Sequence, residues 1–168
     1  MVELYLAVSD AVLRDQYVAA ANKYNDRALE ERDSGFDVYC SEESYLSLGD
    51  TVFLKFGIEA ACAIKPGSVP FNRAYWLMPR SSISKTPYVC ANSMGLIDSG
   101  YRGALMGAIK MVTGEGLKTI TVGTRLFQVV SGSAKPWSKV VIVESVADLP
   151  KPLSERGSGG FGSTGQGV

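Results

Sequence analysis

SGFDVYCSEESYLSLGDTVFLKFGIEAACAI, Ser34 to Ile64, decides the fold class. Four short runs within it read as strands: Phe36 to Cys40, Tyr45 to Leu48, Thr51 to Phe56 and Ile58 to Ile64. Their period is short and they are rich in aromatic and β-branched side chains, which fits a pleated, half-buried surface. Gly49-Asp50 and Pro66-Gly67 punctuate the block, as turn residues do between strands.

The same rhythm extends in both directions. Val2 to Val8 lies upstream; Tyr75 to Met78, Tyr88 to Ala91, Leu96-Ile97, Gly103 to Val112, Thr119 to Val122, Leu126 to Val130 and Val140 to Glu144 lie downstream. Many short strands with no second long helix predict an all-β sandwich or barrel. One segment departs from this. Between Asp10 and Arg32, Leu13, Tyr17, Ala20, Tyr24 and Ala28 recur at steps of four and three, which predicts an amphipathic helix capped by Ser9 or Asp10. Packing or solubility explains such a helix; docking of a partner is the other reading.

The 168 residues fit one domain, residues 1–150, followed by a tail, residues 151–168, that starts around Pro150-Lys151-Pro152. Seventeen basic and seventeen acidic residues give a net charge of zero. That argues against nucleic-acid binding driven by bulk charge, but not against a small anion held by a few local cations. No basic leader and no apolar run of about 20 residues is visible, so a soluble intracellular protein, cytoplasmic or nuclear, with no membrane partner is expected. The three cysteines, Cys40, Cys62 and Cys90, form no CxxC pair, and the chain has no histidine. Free thiols are expected rather than a structural zinc site. Ser-His and Cys-His nucleophile schemes are excluded, so a general base must be Asp, Glu, Lys or Tyr.

Several segments suit phosphate chemistry. PRSSISK, Pro79 to Lys85, sets a guanidinium beside two hydroxyls after a rigid proline; the same run also suits an ordinary loop or a phosphorylation site. In GLIDSGYRG, Gly95 to Gly103, Leu96-Ile97 would be strand and Ser99-Gly100 would turn the chain back as a hairpin. Asp98 would then stand at the strand end, where a carboxylate can reach a ligand-bound water, and Tyr101 could stack on a sugar or base. Asn92 could read a base edge through both faces of its amide. GTRLFQ, Gly123 to Gln128, adds an arginine and an amide at a strand entrance, and SGFDVYC adds Asp37. The tail, RGSGGFGSTGQGV, is flexible by composition. Phe161 between glycines, near Arg156, Ser163 and Thr164, is also what a loop closing over a ligand needs.

Taken in order, these five segments resemble the five motifs of the dUTP pyrophosphatase (dUTPase) family over Ser34 to Gly165. The resemblance implies a dUTPase-like β-barrel, a distorted jelly roll with an N-terminal helical insert and a flexible glycine-rich C-terminal arm. It implies a homotrimer with active sites shared between subunits, the arm of one covering a site made by the others. The reaction it implies is hydrolysis of dUTP to dUMP and pyrophosphate with Mg2+, by water attack on the α-phosphorus, which limits uracil in DNA and supplies dUMP. Carried over by residue, Asp98 would be the base. Tyr101 would pack on deoxyribose, and Asn92 with Gly95 and Ile97 would read uracil. Arg80, Ser81, Ser82 and Gln128 would bind phosphate oxygens. Arg156, Gly162, Ser163 and Thr164 would hold the γ-phosphate, and Phe161 would stack on uracil. Asp37 would support the metal through water, and Lys85 and Arg125 match motif positions.

Val38 and Cys40 depart from the usual first motif only in packing. The stretches Asp10 to Arg32 and Val69 to Ala74 are longer than usual. A dCTP deaminase shares the barrel and an RSS run, but Tyr101 and the complete fifth motif favour dUTPase. A non-catalytic nucleotide-sensing regulator is the other alternative, which intact Asp98, Tyr101 and Phe161 disfavour.

Overall fold

The computed structural model describes residues 1–64 and 71–152. In chain order the elements are β1 (Val2–Ala7), α1 (Ala11–Asn25), β2 (Gly35–Val38), β3 (Ser44–Leu46), β4 (Thr51–Lys55), β5 (Glu59–Ile64), β6 (Phe71–Arg73) and β7 (Tyr75–Pro79). There follow β8 (Tyr88–Cys90), β9 (Gly95–Ile97), β10 (Met106–Met111), β11 (Lys118–Ile120), β12 (Phe127–Ser131) and β13 (Lys139–Val143). They form four small sheets, ordered β13-β1-β5-β6, β4-β10-β8, β11-β3 and β2-β12-β7-β9. Among these ladders β1 with β13 is parallel and the others are antiparallel. The expected all-β class holds.

One core joins the sheets. Trp137, Tyr17, Tyr75, Phe56 and Phe127 are among its fully buried side chains. The polar atoms they carry inward find acceptors: Trp137 Nε1 donates to Val129 O at 3.1 Å, Tyr75 Oη to Ala60 O at 3.2 Å and Tyr17 Oη to Phe56 O at 3.4 Å. Without such partners each would carry a desolvation cost of about 1–3 kcal/mol. Cys40 and Cys62 are buried, Cys90 is partly so, and all three are free.

The helix is shorter than its sequence pattern. Asp10 caps it, accepting from Leu13 N at 2.8 Å, but it stops at Asn25 and not near Arg32. The cause is tertiary. The Asn25 amide donates to Val140 O at 2.8 Å and accepts from Val140 N at 2.9 Å, closing the open edge of β13. Arg32 folds back and donates to Asn25 O at 2.6 Å, Arg27 O at 3.0 Å and Ser138 O at 2.7 Å. Ala28, next in the apolar series, falls beyond the helix, and Ala21 rather than Ala20 is fully buried. A short strand absent from the sequence reading, β6, pairs with β5 inside the long stretch before the second motif.

The sheet β2-β12-β7-β9 carries four of the five motif segments. SGFDVYC is β2, GTRLFQ leads into β12, PRSSISK follows from the end of β7, and GLIDSGYRG begins as β9.

Candidate active site

The polar side chains gather around two cavities. The first, ≈ 250 Å³, lies at the β9 end of the sheet and is lined by Asn92, Gly95, Ile97, Asp98 and Tyr101. Leu77, Leu105, Met106 and Phe127 add an apolar wall, so the cavity suits a flat ring read by a few polar groups. Ser93, at φ 61°, takes the left-handed conformation between β8 and β9, next to Asn92.

Asp98 follows β9 directly and is half-buried; its carbonyl accepts from Tyr101 N at 3.0 Å, which closes the turn. The expected hairpin is only partly there. β9 takes its ladder from β7, and the returning strand is reduced to a single bridge residue, Tyr101. Arg102 explains this: its guanidinium occupies the carbonyls of Ser99 at 3.0 Å and Tyr101 at 2.7 Å, which a longer ladder would need. The Tyr101 hydroxyl donates to Ala104 O at 3.1 Å and so fixes its ring beside Asp98. Partial burial pushes the Tyr101 phenol up, so it stays neutral around pH 7.

The second cavity, ≈ 470 Å³, lies where β2, β12 and β7 meet α1. Asp37, Arg80, Ser81, Arg125 and Gln128 line it. Arg80 Nε holds Asp37 Oδ1 at 2.7 Å and Arg125 Nη1 holds Oδ2 at 3.2 Å. Burial pushes the Asp37 carboxyl up and the two guanidiniums pull it back; the balance lies above the ordinary carboxylate value. Arg80 Nη1 also donates to Arg125 O at 3.1 Å, so both arginines form one rigid edge. Gln128 stands opposite Asp37 in the β2–β12 register, its amide nitrogen 3.3 Å from Pro79 O.

Ser82 and Lys85 sit in the 3-10 turn Ser81–Lys85 and line neither cavity. Arg156, Phe161, Gly162, Ser163 and Thr164 lie outside the described residues. The root of the tail is firmly held: Asn72 donates to Pro150 O at 3.3 Å and Lys151 O at 2.7 Å, and Arg102 Nη2 to Pro150 O at 2.7 Å. Arg102 thereby links the Asp98–Tyr101 turn to the start of the tail.

Asp98 and Arg80 stand far apart along one strand, although the cavities approach each other at Phe127 and Gln128 of β12. The β7–β9 register sets Ile97 against Tyr75, so Asp98 falls beside Ala74 at one end of β7, while Arg80 follows the other end. Six residues at a strand rise of about 3.3 Å separate these ends by about 20 Å.

A model of the dUTPase family matches residues 26–165. The chain belongs to the dUTPase family. It is 34% identical over 137 residues to the deoxyuridine 5'-triphosphate nucleotidohydrolase of Clostridium tetani, covering 81% of this chain and 85% of the relative. It is 33% identical to the nucleotidohydrolase of Clostridioides difficile, over 89% of this chain and 99% of the relative. Among solved structures, a dUTPase of Staphylococcus bacteriophage 80alpha aligns with TM-score 0.51 and 23% identity over 97% of this chain and 98% of that one. The dUTPase of Streptococcus mutans aligns with TM-score 0.50 and 24% identity over 62% and 80%.

Two features of this dUTPase-family site were not legible in the sequence. α1 supplies Ala20, Lys23 and Tyr24, and the turn after it Arg27, to the wall of the second cavity. Gly35 is the other. A Cβ built there would stand 2.0 Å from Gln128 Oε1, so glycine leaves room for that amide to lie across β2. Gly35→Ala is therefore expected to turn Gln128 out of the cavity. The clash is with the end of a flexible side chain, so folding should survive. Calorimetry with a non-hydrolysable dUTP analogue should show about tenfold weaker binding, the loss of one hydrogen bond to a charged group. Unchanged affinity would remove Gln128 from the phosphate set.

Proposed function

We propose that this chain hydrolyses dUTP to dUMP and pyrophosphate, as a homotrimer whose sites are shared between copies. The separation of Asp98 from Arg80 and Ser81 carries the reading. About 20 Å is farther than a triphosphate reaches, so the base of one copy must work against the phosphate-binding edge of another. The small first cavity supports the same reading, since pockets that enclose a whole small ligand usually measure about 300–1,000 Å³. Membership of the family, and relatives named as deoxyuridine 5'-triphosphate nucleotidohydrolases, support the substrate.

In this mechanism the base and sugar occupy the first cavity. Asn92 presents its amide to uracil, with Gly95 and Ile97 beside it, and the Tyr101 ring packs on deoxyribose and leaves no room for a 2′-hydroxyl. Asp98 orients a water and takes its proton as the oxygen attacks the α-phosphorus; pyrophosphate then leaves. Arg80, Ser81, Ser82 and Gln128 of a neighbouring copy hold phosphate oxygens, and positioning with charge neutralisation supplies most of the rate. The arm, through Arg156, Phe161, Gly162, Ser163 and Thr164, covers the site and keeps out all but the attacking water.

Magnesium fits these residues in one way. No cluster of three or more carboxylate, thiol or imidazole groups stands among the described residues, and both Asp37 oxygens are taken by guanidiniums. Such a donor set suits an ion held mainly by the triphosphate and water, with Asp37 reaching it through water. When bound, the ion neutralises phosphate charge.

The deciding experiment is pyrophosphate release from dUTP, dTTP, dCTP and UTP with magnesium, beside the native mass of the protein. Release confined to dUTP from a trimer is expected. Ammonia release from dCTP would make the chain a deaminase, and tight dUTP binding without turnover would make it a nucleotide sensor. A fully active monomer would sink the shared site.

A further inference from the structure

We infer that Lys23 of α1, with Arg27 beside it, binds the two phosphates that leave as pyrophosphate. The helix that precedes the first motif would then be part of the substrate site. The inference rests on the proposed hydrolysis for its substrate, but the observations that carry it are local. The ≈ 470 Å³ cavity has Arg80, Ser81 and Gln128 on one side and Ala20, Lys23 and Arg27 on the other. Its lining holds four cations, Lys23, Arg27, Arg80 and Arg125, against two carboxylates, Asp33 and Asp37. Three of the cations are occupied: Arg80 and Arg125 grip Asp37, and Arg27 grips Asp33 at 2.7 Å. Lys23, exposed at the rim, has no ion-pair partner among the described residues. The cavity therefore keeps a net positive charge and one uncommitted ammonium.

Its placement is fixed by packing. Tyr24, the next residue, is buried; its hydroxyl donates to Asp33 O at 2.7 Å and accepts from Trp137 N at 3.0 Å. Its ring meets Phe36 of β2 edge-on at 5.7 Å. Two turns earlier the Tyr24 anchor is matched by Tyr17, whose hydroxyl accepts from Tyr39 N at 3.0 Å, so the helix is pinned to both ends of the first-motif segment. The C-terminal end of a helix ordinarily repels anions through its free carbonyls. Here Arg32 covers the carbonyls of Asn25 and Arg27, which removes that obstacle. Arg27, just past the end of that last turn, lines the same cavity. A flexible ammonium is a point charge that follows phosphate without demanding one geometry. The α-phosphorus must meet the Asp98 of another copy, so the β- and γ-phosphates are the ones left for this wall.

The test uses full-length protein and inorganic pyrophosphate with magnesium, followed by calorimetry, with dUMP as the second ligand. Lys23→Gln is expected to weaken pyrophosphate binding about five- to tenfold, Lys23→Arg to restore it, and dUMP binding to stay within a factor of two. In turnover, Lys23→Gln should raise KM for dUTP several-fold with kcat little changed. Equal pyrophosphate affinity in wild type and Lys23→Gln, or no pyrophosphate binding by the wild type, overturns the inference. Parallel loss of dUMP binding also overturns it, because the lysine would then only support the fold. Lys23-dependent pyrophosphate binding in a protein that fails to cleave dUTP would uphold the site and sink the hydrolase reading.

Discussion

Asp98→Asn is expected to lower kcat for dUTP by about 10³-fold while leaving the affinity for a non-hydrolysable dUTP analogue within a factor of two or so, in the range that a positioned general base contributes. The substitution keeps shape and removes the proton acceptor together with its negative charge. The turn should persist, because the bond that closes it uses the Asp98 carbonyl and Tyr101 N–H, and Arg102 holds the neighbouring carbonyls. Single-turnover kinetics beside calorimetry separates the two quantities. A thousandfold loss corresponds to about 4 kcal/mol of transition-state stabilisation. Cleavage at the wild-type rate would eliminate Asp98 as the base. A parallel loss of analogue affinity would mean that the carboxylate shapes the first cavity rather than activating water.

What the sequence disclosed and what it hid have separable causes. Strand positions were legible because short runs rich in β-branched and aromatic residues lie between turn residues; β1 and β5 are buried on both faces and show no alternation. β6 escaped notice because Phe71-Asn72-Arg73 sets one aromatic before two polar residues, and its pairing with β5 is what makes it a strand. The end of α1 was illegible for a different reason. Ala28 continues the helical apolar series, while the stop is imposed by Asn25 reaching β13 and Arg32 reaching back, contacts between residues more than a hundred positions apart. Candidate site residues could be named segment by segment, since Asp98, Arg80 and Gln128 each carry a chemistry that their own side chains define. Their division between two cavities could not. It follows from the β7–β9 register, and pattern alone does not specify which residue faces which. Lys23 was hidden most thoroughly, because a lysine on the polar side of an amphipathic helix looks the same whether it meets water or a phosphate.

Deleting Arg156 to Val168 is expected to cost about 10³-fold in kcat/KM for dUTP without loss of the trimer or a large change in melting temperature. The segment lies outside the described residues, so the expectation comes from its chemistry and from what remains after the cut. Two charge-assisted contacts to phosphate at about 1.5–3 kcal/mol each, from Arg156 and the Ser163-Thr164 hydroxyls, account for a loss of that order before any contribution from Phe161. The cut leaves the root of the arm intact. Pro150 and Lys151 keep their bonds to Asn72, Pro150 keeps Arg102, and Arg102 keeps the Asp98–Tyr101 turn in place. The truncated protein should therefore still bind dUMP through the first cavity while losing the preference for the triphosphate. That difference separates the arm from Lys23, whose replacement should spare kcat. Native mass and thermal melting complete the measurement: a truncated protein that falls apart into monomers would make the arm an assembly element, and one that cleaves dUTP at full rate would remove it from catalysis.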